Sequence, residues 1–240
     1  MIVVVAGDRD GAARSLVAGW GAYDAHLITP AGLSVTGWRC YSHPLNHSRF
    51  VLGGRVVEDS EVSGVLTRLV CVTENDLPHI QSPDRAYVAA EMTAFLLWWL
   101  SSLDCPVINR PTPTGLAGPN WRTQEWAHCA AGLGIPTRSV IRTVSRSASR
   151  SGPEPAVAGV KVTIVGARCL GSDDAWITSK ASRLAAAAGA ALLEVEFSSP
   201  EADSLFLGAT PYPEVSGEIA DSILEILRQR PTQSVLRSNG

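Results

Sequence analysis

Along the first part of the chain, continuous runs of apolar residues alternate with segments in which apolar residues recur every three or four positions. Ile2–Ala6 is a continuous apolar run rich in β-branched residues, which predicts a buried strand. Apolar residues at helical steps from Ala12 to Trp20 predict a helix directly after it. Further strands are predicted at 25–29, 64–72 and 106–109, and a hairpin is predicted at 49–57 around Gly53-Gly54. The opening of the chain therefore predicts an α/β fold.

The longest apolar stretch predicts the clearest helix, Pro83–Leu103. Proline occupies its first position, Asp84 lies in its first turn, and apolar residues follow at steps of three and four. The stretch is short for a bilayer and is interrupted by Glu91, so it does not predict a membrane span. A second helix is predicted at 121–133, ending at Gly134.

The second half of the chain follows a change in composition. Residues 145–159 are rich in Ser, Arg, Pro and Gly, which is typical of an exposed linker. After it the pattern predicts strands at 160–165, 192–197 and 204–207, and helices at 178–188 and 215–228. A strand is also predicted before the linker, at 140–144. The expected domains are 1–144 (α/β), the linker 145–159, 160–230 (α+β) and a polar tail 231–240.

Composition limits the classes of partner. The formal net charge of -3 gives no field that would hold nucleic acid or an anionic membrane. Five cysteines form an odd set without a C-x-x-C pair, which argues against a disulfide framework and favours reduced thiols in the cytoplasm. The N-terminus has a short apolar run without a basic region before it, so it predicts a strand and not a signal peptide.

Several short motifs resemble those of the RimK-like ATP-grasp ligases. CPVINRP at 105–111 and GIP at 134–136 are similar to motifs of the N-terminal, pre-ATP-grasp domain of these enzymes. VTIVG at 162–166 and LFLGATPYPEV at 205–215 are similar to motifs of their C-terminal subdomain. The resemblance implies a pre-ATP-grasp-like domain followed by an ATP-grasp-like C-terminal subdomain.

The departures from this family are informative. Only residues 138–159 are available for the central subdomain that holds ATP in the complete enzymes. The family's E-x-N-P run supplies oxygen ligands to magnesium, but here Gly208 and Thr210 take the carboxylate and amide positions, leaving Glu196 as one acid. Only two lysines, Lys161 and Lys180, occur among the 20 basic residues. The expectation is a degenerate ligase with no catalytic residues, no metal and no cofactor.

The resemblance leaves a peptide or carboxylate substrate as the ligand that such a scaffold could still bind. Arginines can pair with carboxylates in bidentate fashion, and tryptophans give rigid apolar anchors. The alternative is that the tryptophans lie in the core and that the Asn-Arg pair closes a loop by bonding backbone carbonyls. The candidate peptide-binding residues are Arg68, Asn109, Arg110, Trp121, Trp126 and Arg142, with Trp38 as a further anchor.

Two other patterns have open interpretations. Arginines at 138, 142, 146 and 150 would share one face if the segment became helical on an acidic peptide, and otherwise they keep an exposed linker soluble. Cys40, His43 and His47 are metal-binding residue types, but no fourth ligand is evident, so no metal site is predicted.

The favoured function is a non-catalytic protein that binds a precursor peptide and presents it to modifying enzymes in peptide natural-product biosynthesis. A homodimer is expected, because apolar faces left open by a missing subdomain need a cover. Two alternatives remain: an accessory subunit of an ATP-grasp carboxylate–amine ligase, and an enzyme of new chemistry that reuses the old substrate cleft.

Overall fold

A computed structural model describes residues 1–34, 37–39, 48–138, 159–201 and 203–229. Contacts divide the chain into two compact units. The first unit consists of Met1–Ala117 and Val215–Gly240, and the second of Gly118–Glu214. The second unit is therefore an insertion between two segments of the first.

The described residues form ten strands and six α-helices. In chain order these are β1 Ile2–Val5, α1 Gly11–Gly19, β2 Ala25–Ile28, α2 Pro30–Leu33, β3 Arg49–Leu52, β4 Arg55–Glu58, β5 Gly64–Thr67, α3 Ser82–Ser102, β6 Val107–Ile108, α4 Thr123–Gly132, β7 Val160–Val165, β8 Arg168–Leu170, α5 Ala175–Ala188, β9 Leu192–Phe197, β10 Phe206–Thr210 and α6 Gly217–Arg228. Short 3-10 turns lie at Gly21–Tyr23, Asp59–Glu61 and Glu74–Asp76. None of these described helices is both long and apolar enough to cross a bilayer.

The first unit is built on a parallel sheet in the order β2-β1-β5-β6. Strands β1 and β5 are buried along their whole length, which explains their uninterrupted apolar sequences. One face of the sheet packs against α3, whose Leu96, Trp99 and Leu100 are fully buried. Strands β3 and β4 form the predicted hairpin, and Gly53 and Gly54 between them have φ angles of 58° and 79°.

Helix α6 belongs to the first unit, although it comes last in the sequence. It contacts β5 and β6. A Cβ atom on Gly64 would lie 2.5 Å from the carbonyl oxygen of Leu227, so glycine is needed where the helix and strand meet. The amphipathic pattern of α6 thus covers the parallel sheet.

The second unit is an antiparallel sheet in the order β10-β9-β7-β8 with α4 and α5. The Asp174 carboxylate caps the N-terminus of α5 by accepting hydrogen bonds from the Trp176 and Ile177 amides. Gly189 ends the helix with a φ of 64°. Apolar side chains from both helices and the inner sheet face form the core, among them Trp126, Ile177 and Phe197.

The structure confirms the predicted α/β class with an α+β second half, and most predicted elements lie within a few residues of their expected positions. The strand predicted at 64–72 was too long, because regular pairing ends at Thr67. The strand predicted at 204–207 instead spans Phe206–Thr210, and β8 and α2 were not predicted. The strand predicted at 140–144 lies outside the described residues, as does nearly all of the predicted linker 145–159.

The predicted domain division stays a prediction. The contact-based units divide the chain elsewhere, after Ala117 and after Glu214. They group α4 with the antiparallel sheet because it packs on β10 and α5, whereas α6 goes with the parallel sheet.

Candidate functional site

The carboxyl edge of the parallel sheet is where a ligand-binding site is expected in this fold. The chain runs from β1 to β2 on one side and later to β5 on the other side, so the strand order reverses between β1 and β5. Open α/β sheets bind ligands at such a switch point, beside the carboxyl ends of the strands. The residues that follow β5 and β6 include three of the predicted site residues, Arg68, Asn109 and Arg110.

Arg68 is held by a carboxylate at the start of α1. Its Nε donates to Asp10 Oδ2 at 2.9 Å, and the two side chains are only 13% and 20% exposed. Asp10 Oδ1 also accepts from the Ala13 amide, so the same carboxylate caps the helix. A peptide carboxylate at this edge would therefore compete with Asp10 for the guanidinium.

Asn109 and Arg110 make the backbone contacts that the alternative interpretation of the sequence anticipated. The Asn109 side chain is buried and its Nδ2 donates to the Ala117 carbonyl at 3.3 Å. Arg110 Nη2 donates to the carbonyls of Leu103 and Cys105, each at 3.2 Å. Leu103 is the C-cap of α3, so Arg110 satisfies a carbonyl that the helix leaves open. Both residues close the loop after α3, and a role in binding stays a prediction.

Cys105 lies beside this loop as a buried thiol. Burial raises the pKa of Cys105 to about 11, and the nearby Arg110 charge lowers it by less than burial raises it. The thiol is therefore protonated at neutral pH, which is the opposite of what an activated nucleophile requires.

The two predicted tryptophans of the second unit have different environments. Their ring centroids are 4.7 Å apart with the planes tilted by 57°. Trp126 is 2% exposed and belongs to the core of the unit. Trp121 is partly buried against that core and lines an open surface cavity of about 350 Å³. Trp126 is thus a core residue, whereas Trp121 lines a surface cavity, and a role of either in binding stays a prediction.

The other cavity-lining residues come from one face of α4. Gln124, Glu125, His128 and Cys129 complete the lining together with Trp121. The Glu125 carboxylate is already used, because it accepts from the Arg122 amide at the helix start at 2.6 Å. Burial raises the pKa of the Cys129 thiol, so it adds an apolar surface and no charge. The sequence prediction did not include these four residues, although their positions three, four, seven and eight residues after Trp121 predict a shared helix face.

Glu194 and Glu196 lie on one face of the antiparallel sheet, next to the run at 208–211 where the sequence predicts that magnesium ligands have been lost. Lys161 Nζ donates to Glu194 Oε1 at 2.9 Å, and this contact raises the pKa of Lys161. Across the neighbouring strand, Gly208 is paired with Glu196 and Thr210 with Glu194. Within the described ranges no group of three His, Cys, Asp or Glu side chains is placed to hold a metal ion.

The remaining predicted residues either lie outside the described part of the chain or pack in a core. Arg142 and the metal-like residues Cys40, His43 and His47 lie outside the described residues. Trp38 stacks on Phe50, with ring centroids 4.7 Å apart, and meets Trp99 edge-on, so it packs with the core of the first unit.

Comparisons with known proteins identify solved structures that have a similar fold. No protein-family model matches the sequence, and no curated protein is significantly similar to it. Solved structures do match: the macrocyclase MdnC of Microcystis aeruginosa, bound with precursor peptide MdnA, superposes with a TM-score of 0.68 at 15% identity, covering 95% of this chain and 99% of that one.

Two further structures agree with this match. The ATP-grasp ligase PsnB, complexed with minimal precursor, Mg and ADP, gives a TM-score of 0.62 at 11% identity and covers 95% of this chain and 98% of its own. A RimK domain ATP-grasp protein from Sphaerobacter thermophilus gives 0.50 at 15% identity, covering 93% and 100%. The chain therefore has the fold of the ATP-grasp ligases, as its motifs predicted.

Proposed function

We propose that this protein binds a precursor peptide in the biosynthesis of a ribosomally made peptide natural product, and that it does so without catalysis. The observation that carries the proposal is the fold, because MdnC and PsnB were each solved with a precursor peptide bound. The role of the chain is to present this peptide to separate modifying enzymes. The expected location is the cytoplasm, where a newly made precursor is available.

The cavity at Trp121 supports peptide binding. Its volume of about 350 Å³ suits one or two side chains of a peptide, and an indole offers a rigid apolar wall. Gln124 and His128, which also line the cavity, supply polar groups that can orient a backbone. We assign an apolar side chain of the peptide to this cavity.

The side chains on one face of the antiparallel sheet support a non-catalytic role. Phosphoryl transfer needs cations that neutralise the phosphates and oxygen ligands that hold magnesium. On this face the amine of Lys161 is bound by Glu194, and Gly208 and Thr210 provide no carboxylate. We propose that the central ATP-binding subdomain of the fold is absent from this chain, so that neither ATP nor magnesium acts as its cofactor.

Isothermal titration calorimetry with precursor peptides encoded beside the gene tests the proposal. Saturable binding of one peptide without ATP or magnesium is the expected result, and no binding to any of them would overturn it. Trp121→Ala should weaken the binding at least about tenfold, because a buried aromatic anchor contributes a kcal/mol or more. Tyr23→Ala, which removes an exposed aromatic side chain of the first unit, is the matched control and should leave the affinity unchanged.

We also propose that the protein acts as a homodimer and meets its partner enzymes in that form. The exposed side chains of Tyr87 and Trp98 on α3 support this, because a second copy of the chain could cover such apolar groups.

A further inference from the structure

A cavity of the first unit lies beside the C-terminal half of helix α6. Its volume is about 450 Å³, and the described residues that line it are Tyr23, Asp221, Leu224, Glu225, Arg228 and Gln229. The five residues from 221 to 229 recur at steps of three and four, so they share one face of the helix. Tyr23 belongs to the 3-10 turn before β2. We call this space the α6 cavity.

The α6 cavity lies at the amino ends of the parallel strands. Tyr23 lies two positions before Ala25, the first residue of β2. At the first residue of β5, a Cβ atom on Gly64 would lie 2.5 Å from the carbonyl oxygen of Leu227, so the last turn of α6 meets this end of the sheet. The ligand-binding edge expected of such a sheet is the opposite, carboxyl edge. An occupant of the α6 cavity therefore leaves the carboxyl edge open.

The charges that line the α6 cavity favour a cation. The exposed residues Asp221 and Glu225 lie one helical turn apart, about 6 Å along the axis. The guanidinium carbon of Arg228 lies over the Tyr23 ring, 4.6 Å from its centroid. Arg228 is about 10 Å along the axis from Asp221, so the anionic end of the cavity is the Asp221 end. An anion would meet two carboxylates and the partial negative charge at the helix C-terminus.

Two apolar side chains lie beside these carboxylates. Tyr23 is 42% exposed and Leu224 is 8% exposed, and both line the cavity. Lysine and arginine bury their methylene stems on apolar surface while the charged head stays hydrogen-bonded. A carboxylate is the strongest acceptor for such a head group. The combination suits a long basic side chain better than an inorganic cation, which would use the carboxylates alone.

We propose that the α6 cavity binds a lysine or arginine side chain of a partner protein, and that this partner is a modifying enzyme. The identity of the partner rests on the proposed function, whereas the chemistry of the cavity does not. The stem of the side chain packs on Leu224, and its head group lies at Asp221 and Glu225. The precursor peptide is assigned to the Trp121 cavity in the second unit, so the two ligands share no lining residue.

NMR titration with the peptide acetyl-Ala-Arg-Ala-amide isolates this contact. We expect saturable shifts of the Leu224 methyl groups and the Tyr23 ring with a millimolar Kd, since one exposed ion pair contributes little. The peptide with citrulline in place of arginine has the same shape without the charge and should bind at least about threefold more weakly. The absence of saturable shifts would overturn the proposal, as would equal affinity for the citrulline peptide.

Variants of the cavity test the sign of the charge. Asp221→Asn should weaken the arginine peptide at least about threefold. Arg228→Gln removes the one cation that lines the cavity, so it should leave the affinity unchanged or increase it. Asp173→Asn removes an exposed carboxylate of the second unit and is the matched control, which should bind as the original protein does. Weaker binding by Arg228→Gln, or unchanged binding by Asp221→Asn, would contradict the assignment.

The partner is tested with the modifying enzymes encoded beside the gene. Biolayer interferometry measures the affinity of each enzyme for the original protein and for Asp221→Asn, and for one enzyme the variant should bind at least about threefold more weakly. Equal affinities of the two proteins for every enzyme would overturn the assignment of the partner.

Titration with the precursor peptides shows which proposal fails if one does. A protein that binds a precursor peptide and gives no shift with the arginine peptide rejects only the α6 cavity as a site. A protein that binds the arginine peptide and no precursor peptide rejects only the proposed function.

Discussion

Lys161 Nζ lies 2.9 Å from Glu194 Oε1, joining strands β7 and β9 on one face of the antiparallel sheet. The Lys161 side chain is 61% exposed and the Glu194 side chain is 14% exposed, so water reaches the lysine more than the glutamate. In an enzyme that handles ATP, free cations and carboxylates are needed on such a face. In this chain the charges of Lys161 and Glu194 neutralise each other.

The first prediction concerns nucleotide binding. We expect no saturable binding of ATP with magnesium, because the Lys161 amine is paired with Glu194 and because Gly208 and Thr210 provide no carboxylate beside Glu196. Fluorescence titration with a labelled ATP analogue measures this, and Lys161→Ala should give the same flat curve as the original protein. Magnesium-dependent binding in the micromolar range, lost in Lys161→Ala, would contradict the prediction.

The second prediction concerns the core of the first unit. Trp99 is fully buried and its Nε1 donates to Asp59 Oδ1 at 3.0 Å. Trp99→Phe removes this donor and leaves a small cavity, so we expect the free energy of unfolding to fall by about 2 to 4 kcal/mol. Urea denaturation followed by circular dichroism measures it. Trp98→Phe, one position away on the exposed side, should change the value by less than about 0.5 kcal/mol.

The third prediction concerns the pH dependence of stability. Burial raises the pKa of Asp59, although hydrogen bonds from Trp99 and Ser48 oppose the shift. The folded state therefore binds this proton more tightly than the unfolded chain, and the contribution of Asp59 is complete below about pH 3.9 and declines as the pH rises through the folded pKa.

Asp59→Asn isolates this effect, since the amide oxygen can still accept from Trp99. The stability of the variant relative to the original protein should increase with pH over the window just above pH 4, and then stay constant. Urea midpoints measured between pH 3.5 and 8 follow the difference. A difference that decreases with pH would show that the sign is wrong.

The fourth prediction concerns the thiols. Cys71 is exposed, whereas Cys105 is buried with its pKa raised to about 11. At pH 8 iodoacetamide should alkylate Cys105 at least about 100-fold more slowly than Cys71, since the thiolate is the reactive form. Peptide mass spectrometry over time gives both rates in one sample, and alkylation in urea should remove the difference. Rapid labelling of Cys105 in the native protein would instead favour the alternative of an enzyme with new chemistry.

The fifth prediction separates the structural and binding interpretations of Arg110. Arg110→Ala leaves the carbonyls of Leu103 and Cys105 without this donor, so we expect a loss of about 1 to 2 kcal/mol in unfolding free energy. Peptide affinity, measured well below the unfolding midpoint, should change little. A loss of peptide affinity without a loss of stability would instead support Arg110 as a ligand-binding residue.

The elements that follow from local pattern were well predicted from the sequence. The fully apolar strand β1, the hairpin around Gly53-Gly54 and the helix after Pro83 are each determined by residues within one segment. The motifs that resemble those of the ATP-grasp ligases also predicted the fold. Each motif is a short run of residues, so it can be recognised without knowledge of the tertiary contacts.

What the sequence did not reveal depends on contacts between distant residues. Arg68 reads as a free charge at a strand end, yet its partner Asp10 is 58 positions away. Trp121 and Trp126 look equivalent as tryptophans near one helix, and only the packing of α4 separates a core residue from a cavity wall. The position of α6 on β5 and β6 was also hidden, since its amphipathic pattern does not identify the sheet it covers.

The place of α6 in the first unit bears on how the protein is made. During translation, residues 1–117 leave the ribosome well before Gly217–Arg228, with the whole of the second unit synthesised in between. Until then one face of β5 has no Leu227 against it, and an uncovered apolar sheet is prone to bind other chains. The second unit can complete its own core first, so the amino-terminal half is expected to be the last part of the nascent protein to become protease-resistant.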